Sequence, residues 1–185
     1  MRDSYTPPAT AVVPERPAGA PAPGTVVATH APDCFVCGTD GAALGLVKTI
    51  GDGVTVHAEF TVRPEHQGGP GVLHGGLLAS AFDETLGALP NFVLGSIAVT
   101  GRLETEYVRP VPVGTTVHLR AVCDAVHGRK YYMSAEARLD SLDGPVAGRS
   151  RSLFIAVGVE HYAPYTERDD LGGAFRRART AGDPA

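Results

Sequence analysis

One stretch of this chain repeats its apolar residues at helical spacing, and it stands alone among segments that alternate. It begins His74-Gly75-Gly76-Leu77-Leu78-Ala79-Ser80-Ala81-Phe82-Asp83-Glu84 and runs on to Leu89. Leu77, Leu78, Ala81, Phe82 and Leu89 share one helical face, which is therefore built for a core. Gly76, Ala79, Ser80, Asp83 and Gly87 gather on another. That second face sets small side chains around a single carboxylate, so a backbone or a ligand can come close. Pro90 is expected to end the helix, because the residue before a proline avoids helical geometry.

On both sides the period is two. Val54, Val56, Ala58, Phe60 and Val62 alternate with Thr55, His57, Glu59 and Thr61, the mark of a half-buried strand. A strand over 44–50 precedes it across the turn Gly51-Asp52-Gly53. After the helix, strands are expected over 99–107, 117–125, 131–139 and 146–157. Short joins at Pro112-Val113-Gly114, His127-Gly128 and Asp143-Gly144 suggest that these four form an antiparallel meander. Two strands, one long helix and four strands give an α+β domain in which an antiparallel sheet wraps around the central helix.

The flanks differ in composition. Residues 1–30 mix Pro7, Pro8, Pro14, Pro17, Pro21 and Pro23 with alanine and glycine, and are expected to be disordered or loosely draped. Residues 31–160 form the folded domain. Residues 161–185 read as a polar tail, with one short helix near 174–179. A net charge of −4 gives no reason to expect nucleic-acid binding. No run of about 20 apolar residues is present to span a membrane, and the N-terminus lacks the basic start and apolar core of a secretory leader. Three cysteines make an odd count and fit a reducing cytoplasm.

The start of the helix carries its own chemistry. The first N–H groups of any helix lack partners, and the dipole makes that end positive. Glycines at 75 and 76 leave those groups sterically open, which suits a developing oxyanion. The alternative is that the glycines only permit a tight turn and that Asp83 is solvated. Gly75 and Asp83 lie eight residues apart, roughly 12 Å along one helix. A carbonyl under attack needs its donor and its carboxylate each within about 3 Å. If both act on one carbonyl, they come from two chains, so catalysis predicts a two-fold dimer with two shared sites. An aspartate of ordinary pKa is ionised at neutral pH and needs no tuning for this work. No Gly-x-Ser-x-Gly elbow offers a serine nucleophile.

Several motifs together resemble the hotdog-fold thioesterases, in particular the PaaI-like branch. They are Cys34-Phe35-Val36-Cys37-Gly38; Pro70-Gly71-Val72-Leu73-His74-Gly75-Gly76 with Asp83 nine residues after the histidine; Thr100; Tyr107-Val108-Arg109-Pro110; and Gly128-Arg129-Lys130. The resemblance implies hydrolysis of an acyl-coenzyme A thioester by a homodimer or a dimer of dimers. No cofactor is implied, because coenzyme A is part of the substrate. By position, Asp83 corresponds to the nucleophile or the base that activates water, the Gly75 N–H to the oxyanion donor supported by His74, and Thr100 to the residue that positions the water or the acid. Gly76 would line the substrate, and Arg129 and Lys130 would meet the coenzyme's phosphates. Relatives often place an Asn or Gln in the loop before His-Gly-Gly. Here Gln67 is near that place and Gly68 stands in the aligned position.

Other residues receive weaker readings. Cys34-x-x-Cys37 with His30 could be half of a zinc site, but a structural site needs four ligands and no second pair appears, so a turn packed beside the first strand is the favoured reading and no metal is expected. Glu84 is turned about 100° from Asp83 and reads as a rim or salt-bridge residue. His57 and His118 fall on polar strand faces. His66 would matter in a hydratase or dehydratase, which pairs a histidine with a helix acid. A non-catalytic module that binds acyl-coenzyme A is the other alternative.

Overall fold

The structure is a computed structural model and describes residues 5–31 and 33–165. Its elements in chain order are β1 (Val26–Val27), β2 (Val47–Ile50), β3 (Thr55–Thr61), β4 (Gln67–Gly69), β5 (Val72–Leu73), α1 (Gly75–Ala88), β6 (Ala98–Tyr107), β7 (Thr116–His127), β8 (Lys130–Leu139) and β9 (Val146–Ala156). Seven strands form one antiparallel sheet in the order β1-β2-β3-β7-β8-β9-β6, while β4 and β5 make a separate small ribbon. The helix lies across one face of the large sheet. Leu78, Ala81, Phe82, Thr85, Leu86 and Ala88 are its buried residues. They pack with sheet residues such as Val56, Phe60, Leu119 and Phe154 in one core cluster. Removing Leu78, Phe82 and Leu86 from water contributes about 1.5–3 kcal/mol each. Leu77, expected on this face, is only partly buried. Gly76, Ala79, Ser80, Asp83 and Gly87 stay exposed or half-buried, as the second face requires.

The four-strand meander is corrected. Strands β7, β8 and β9 are joined in sequence, but β6 pairs with β9 at the far edge, and β7 pairs with β3. The Pro112-Val113-Gly114 join is therefore a crossover, not a hairpin. Its backbone bonds the ribbon instead: the Leu73 N–H donates to Val111 O at 2.9 Å and the Val113 N–H to Gly71 O at 3.0 Å. Turn residues mark a change of direction without naming the next partner. Pro110 and Pro112 have no N–H to give a sheet ladder. The crossover consequently braces the loop that leads into the helix.

Pro90 does not stop the helical course. Regular α geometry ends at Ala88, and a single wide turn follows over Leu89–Val93. The Leu94 N–H donates to Leu89 O at 3.0 Å and the Ser96 N–H to Pro90 O at 2.8 Å. A proline at the start of a new turn is tolerated, because the N–H it lacks would have no partner there. The proline-rich segment also has more fixed contacts than composition suggests. Val12 bridges to Val126, Arg16 donates to Gly51 O at 3.1 Å and Gly53 O at 2.9 Å, and β1 extends the sheet inside residues 1–30. The helix expected near 174–179 lies outside the described residues.

Candidate active site

Three segments converge on the first turn of α1. His74 is its N-cap, with an extended backbone (φ −65°, ψ 129°), and its Nδ1 accepts the Gly76 N–H at 2.9 Å. The N–H groups of Leu77 and Leu78 donate to His74 O at 3.0 and 3.3 Å. Of the four N–H groups that open the helix, the one left without an acceptor among the described residues is that of Gly75. His74 thus serves the site by taking the neighbouring N–H for itself. Its own N–H donates to His66 O at 2.9 Å.

Two glycines here allow close approach, and only at Gly68 is glycine required. A Cβ on Gly68 would lie 2.7 Å from His74 Cα, so the 66–68 loop can touch the helix start only as glycine. A Cβ on Gly75 would meet the Tyr107 ring at 3.2 Å. The Tyr107 hydroxyl donates to Gly75 O at 3.0 Å. Tyr107, at the end of β6, thus contacts the first residue of the helix; in the sequence it stood within a motif and carried no assigned role.

Two turns along, Asp83 lies half-buried on the small-residue face. Thr100 Oγ1 donates to Asp83 Oδ1 at 2.7 Å. Burial pushes the Asp83 carboxyl above the usual carboxylate range, Thr100 pulls it back, and the Glu84 charge adds to the rise. The expectation of an ordinary, untuned aspartate is thereby corrected. Asp83 and Gly75 belong to one α-helix, whose rise of about 1.5 Å per residue keeps them roughly 12 Å apart. Thr100 lies on β6, whose outer edge pairs with no other strand among the described residues.

The residues expected to bind substrate are spread more widely. Gly76 is exposed at the helix start. Gln67 serves its own loop: its Oε1 accepts the Gly71 N–H at 2.6 Å and its Nε2 donates to Pro64 O at 2.8 Å. Arg129 and Lys130 are exposed at the β7–β8 hairpin, where Gly128 supplies a φ of 57°. Thr100 is level with Phe154 and, beyond it, Tyr131. The hairpin therefore occupies the Thr100 end of the sheet, two strands away or roughly 10 Å. His66 is buried, and its Nδ1 accepts the Arg63 N–H at 3.1 Å. Its imidazole is tied to its own turn rather than paired with a helix acid. A groove of about 770 Å³ opens on a different surface, lined by His118, Arg120, Glu136, Arg149 and Arg151 among others, and includes none of the expected site residues.

Glu84 is indeed a salt-bridge residue. It pairs with the Lys48 ammonium, which is only 1% exposed, and its Oε1 lies 3.4 Å from His30 Nδ1. Burial alone would raise the Glu84 carboxyl, but the His30 hydrogen bond and the Lys48 charge outweigh it and hold the pKa down at about 2. The same hydrogen bond raises His30. Cys37 Sγ lies 3.3 Å from His30 Nδ1. Cys34 completes a cluster of four donor-bearing side chains. The helix thus brings a fourth donor-bearing side chain to His30, Cys34 and Cys37.

Residues 70–144 match the family profile of the thioesterase superfamily. The chain is 31% identical over 98 residues to the acyl-coenzyme A thioesterase THEM4 of Xenopus laevis, covering 53% of this chain and 43% of that protein. It thus spans less than half the length of that relative. Escherichia coli PaaI, from the phenylacetic acid degradation operon, shares the fold with a TM-score of 0.58 at 22% identity, over 63% of this chain and 82% of that one. A mutant acyl-CoA hydrolase from Staphylococcus aureus, solved in complex with coenzyme A, matches with a TM-score of 0.55 at 18% identity, over 58% of this chain and 66% of the other.

Proposed function

We propose that this chain is a hotdog-fold thioesterase of the PaaI-like branch and that it hydrolyses an acyl-coenzyme A thioester to the free acid and coenzyme A, a reading supported by the match of residues 70–144 to the thioesterase superfamily. One observation carries the reading: a single helix presents a Gly75 N–H without an acceptor among the described residues and a Thr100-held carboxylate at Asp83. In the proposed site, Asp83 of one protomer faces the partner's Gly75 across a two-fold axis. The partner's Gly75 donates its N–H to the carbonyl oxygen as it gains charge. Asp83 either attacks the carbonyl carbon or takes a proton from the water that does. The carbon–sulfur bond breaks, the coenzyme leaves as a thiolate, and water supplies the oxygen and the protons of the products. A thioester is reactive enough for one carboxylate and one preorganised donor.

The dimer is supported by two surfaces. The small-residue face of α1 lets a second helix approach closely, and β6 offers a ten-residue edge beside it. Arg129 and Lys130, exposed at the same end of the sheet, are proposed to meet the coenzyme's phosphates. The complex of the Staphylococcus aureus hydrolase with coenzyme A supports that donor class. No helix among the described residues is long and apolar enough to cross a membrane. Three free cysteines suit a reducing compartment, and the cytoplasm is the proposed location.

The test is release of free thiol from a panel of short, long and aromatic acyl-CoAs. Turnover of at least one member is expected. Binding without thiol release, or double-bond chemistry on an enoyl-CoA instead, overturns the reading. A second prediction concerns acidity. Thr100→Val removes the hydrogen bond that lowers the Asp83 pKa, so the acid limb of kcat/KM moves to higher pH, and Thr100→Ser moves it back. An unmoved limb in the valine variant contradicts a role for Thr100 through Asp83.

A further inference from the structure

We propose that His30, Cys34, Cys37 and Glu84 form a tetrahedral site for a zinc-type divalent cation, which fastens His30 and the 34–37 turn to the flank of α1. Each residue offers one ligand atom, and these atoms all lie within 4.8 Å of one another. The two short separations are informative. Zinc bonds of about 2.3 Å to sulfur and about 2.0–2.1 Å to nitrogen or oxygen give tetrahedral edges of about 3.4–3.6 Å between a nitrogen and its sulfur or oxygen neighbour. The observed edges from His30 Nδ1 are 3.3 Å to Cys37 Sγ and 3.4 Å to Glu84 Oε1. A sulfur–sulfur edge would be about 3.8 Å, so even the 4.8 Å limit calls for closure of about 1 Å.

The loop is fixed before any metal arrives. The Gly38 N–H donates to Cys34 O at 2.8 Å, and the Leu44 and Leu46 N–H groups donate to Phe35 O and Val36 O at 3.0 Å each. Thr29 Oγ1 donates to Cys37 O at 2.9 Å. Glu84 comes from the core-packed helix. Two donors on the braced 34–37 turn, His30 beside them and one donor on the core-packed helix are a pre-formed set rather than a chance surface cluster.

Charge explains the buried lysine. Two thiolates and the Glu84 carboxylate carry three negative charges, the metal carries two positive ones, and the Lys48 ammonium beside Glu84 supplies the third. The loaded site is neutral with His30 uncharged. In the metal-free site Glu84 is paired to Lys48. Binding displaces whatever protons the ligand atoms carry, and no oxidant or reductant is involved. All four positions are filled by the chain, so the site is structural. It stands independently of the proposed hydrolysis.

The experiment uses the full chain, purified under reducing conditions from zinc-supplemented cells. About one equivalent of metal per chain is expected. Replacing it with cobalt should give the visible bands of a tetrahedral, thiolate-ligated ion. Binding should release protons and weaken as pH falls. Cys34→Ser combined with Cys37→Ser should lose the metal and the thiolate-to-cobalt bands. His30→Ala, at a half-exposed position that leaves the Lys48–Glu84 pair in place, keeps the test valid if the double variant fails to fold. Its circular dichroism should match the parent while the tetrahedral cobalt spectrum is lost. A reduced, folded protein that retains no zinc and gives no tetrahedral cobalt spectrum overturns the proposal. So does metal content unchanged by the cysteine or histidine substitutions.

Discussion

Asp83→Asn lowers kcat for thioester hydrolysis by about 10²–10⁴-fold, the range that one positioned acid–base group supplies. The substitution keeps the shape of the side chain, and the Thr100 hydroxyl, as donor, can still reach the remaining carbonyl oxygen. What disappears is the charge. Burial raises the Asp83 carboxyl above its ordinary range, so at neutral pH the ionised form lowers folded-state stability. That cost is full above the raised folded-state value, fades as pH falls through it and is gone below the ordinary aspartate range. Asn removes the cost at neutral pH, so the variant's Tm equals or exceeds the parent's there. Activity lost together with unchanged or higher Tm separates a chemical role from a structural one. Turnover equal to the parent's ends the assignment of Asp83.

Gly75→Pro is the second large effect, a loss of about 10²–10³-fold in kcat, as expected for deleting one oxyanion donor. Proline is well accepted at the first helical position, where its missing N–H has no intrahelical partner. The residue before it must be extended, and His74 already is, at φ −65° and ψ 129°. The cap from His74 to the Gly76 N–H does not involve the deleted group. The cost is local: new side-chain atoms meet the Tyr107 ring, which must give by a few tenths of an ångström. Gly75→Ala carries the same Cβ but keeps the N–H. It is the control, and activity retained in alanine but lost in proline isolates the donor.

Much of this was legible in the sequence because it rests on periodicity. The helix over 75–88, its buried and open faces, and the alternating strands follow from spacing alone. The Asp83–Thr100 contact was reachable only through the family resemblance, since 17 residues separate the pair. Strand order was not legible: Pro112 and Gly114 announce a turn, but β6 took the sheet edge beside β9. Gln67 also closes its own loop through bonds to Pro64 and Gly71, a use that a polar side chain near a site does not announce in the sequence. The fourth donor beside His30, Cys34 and Cys37 was hidden for a related reason. Lys48 and Glu84 are 36 residues apart, and no local pattern links a strand lysine, a helix acid and a cysteine loop.

Subunit mixing measures the central geometry most directly. Asp83→Asn and Gly75→Pro chains, each inactive alone, are unfolded together and refolded as a mixture. If every site joins Asp83 of one protomer to the partner's Gly75, each mixed dimer regains one intact site. Random pairing then restores about one quarter of the parent activity. If acid and donor serve the same site within one chain, every site in the mixture keeps one defect, and a mixture as inactive as its components contradicts the account.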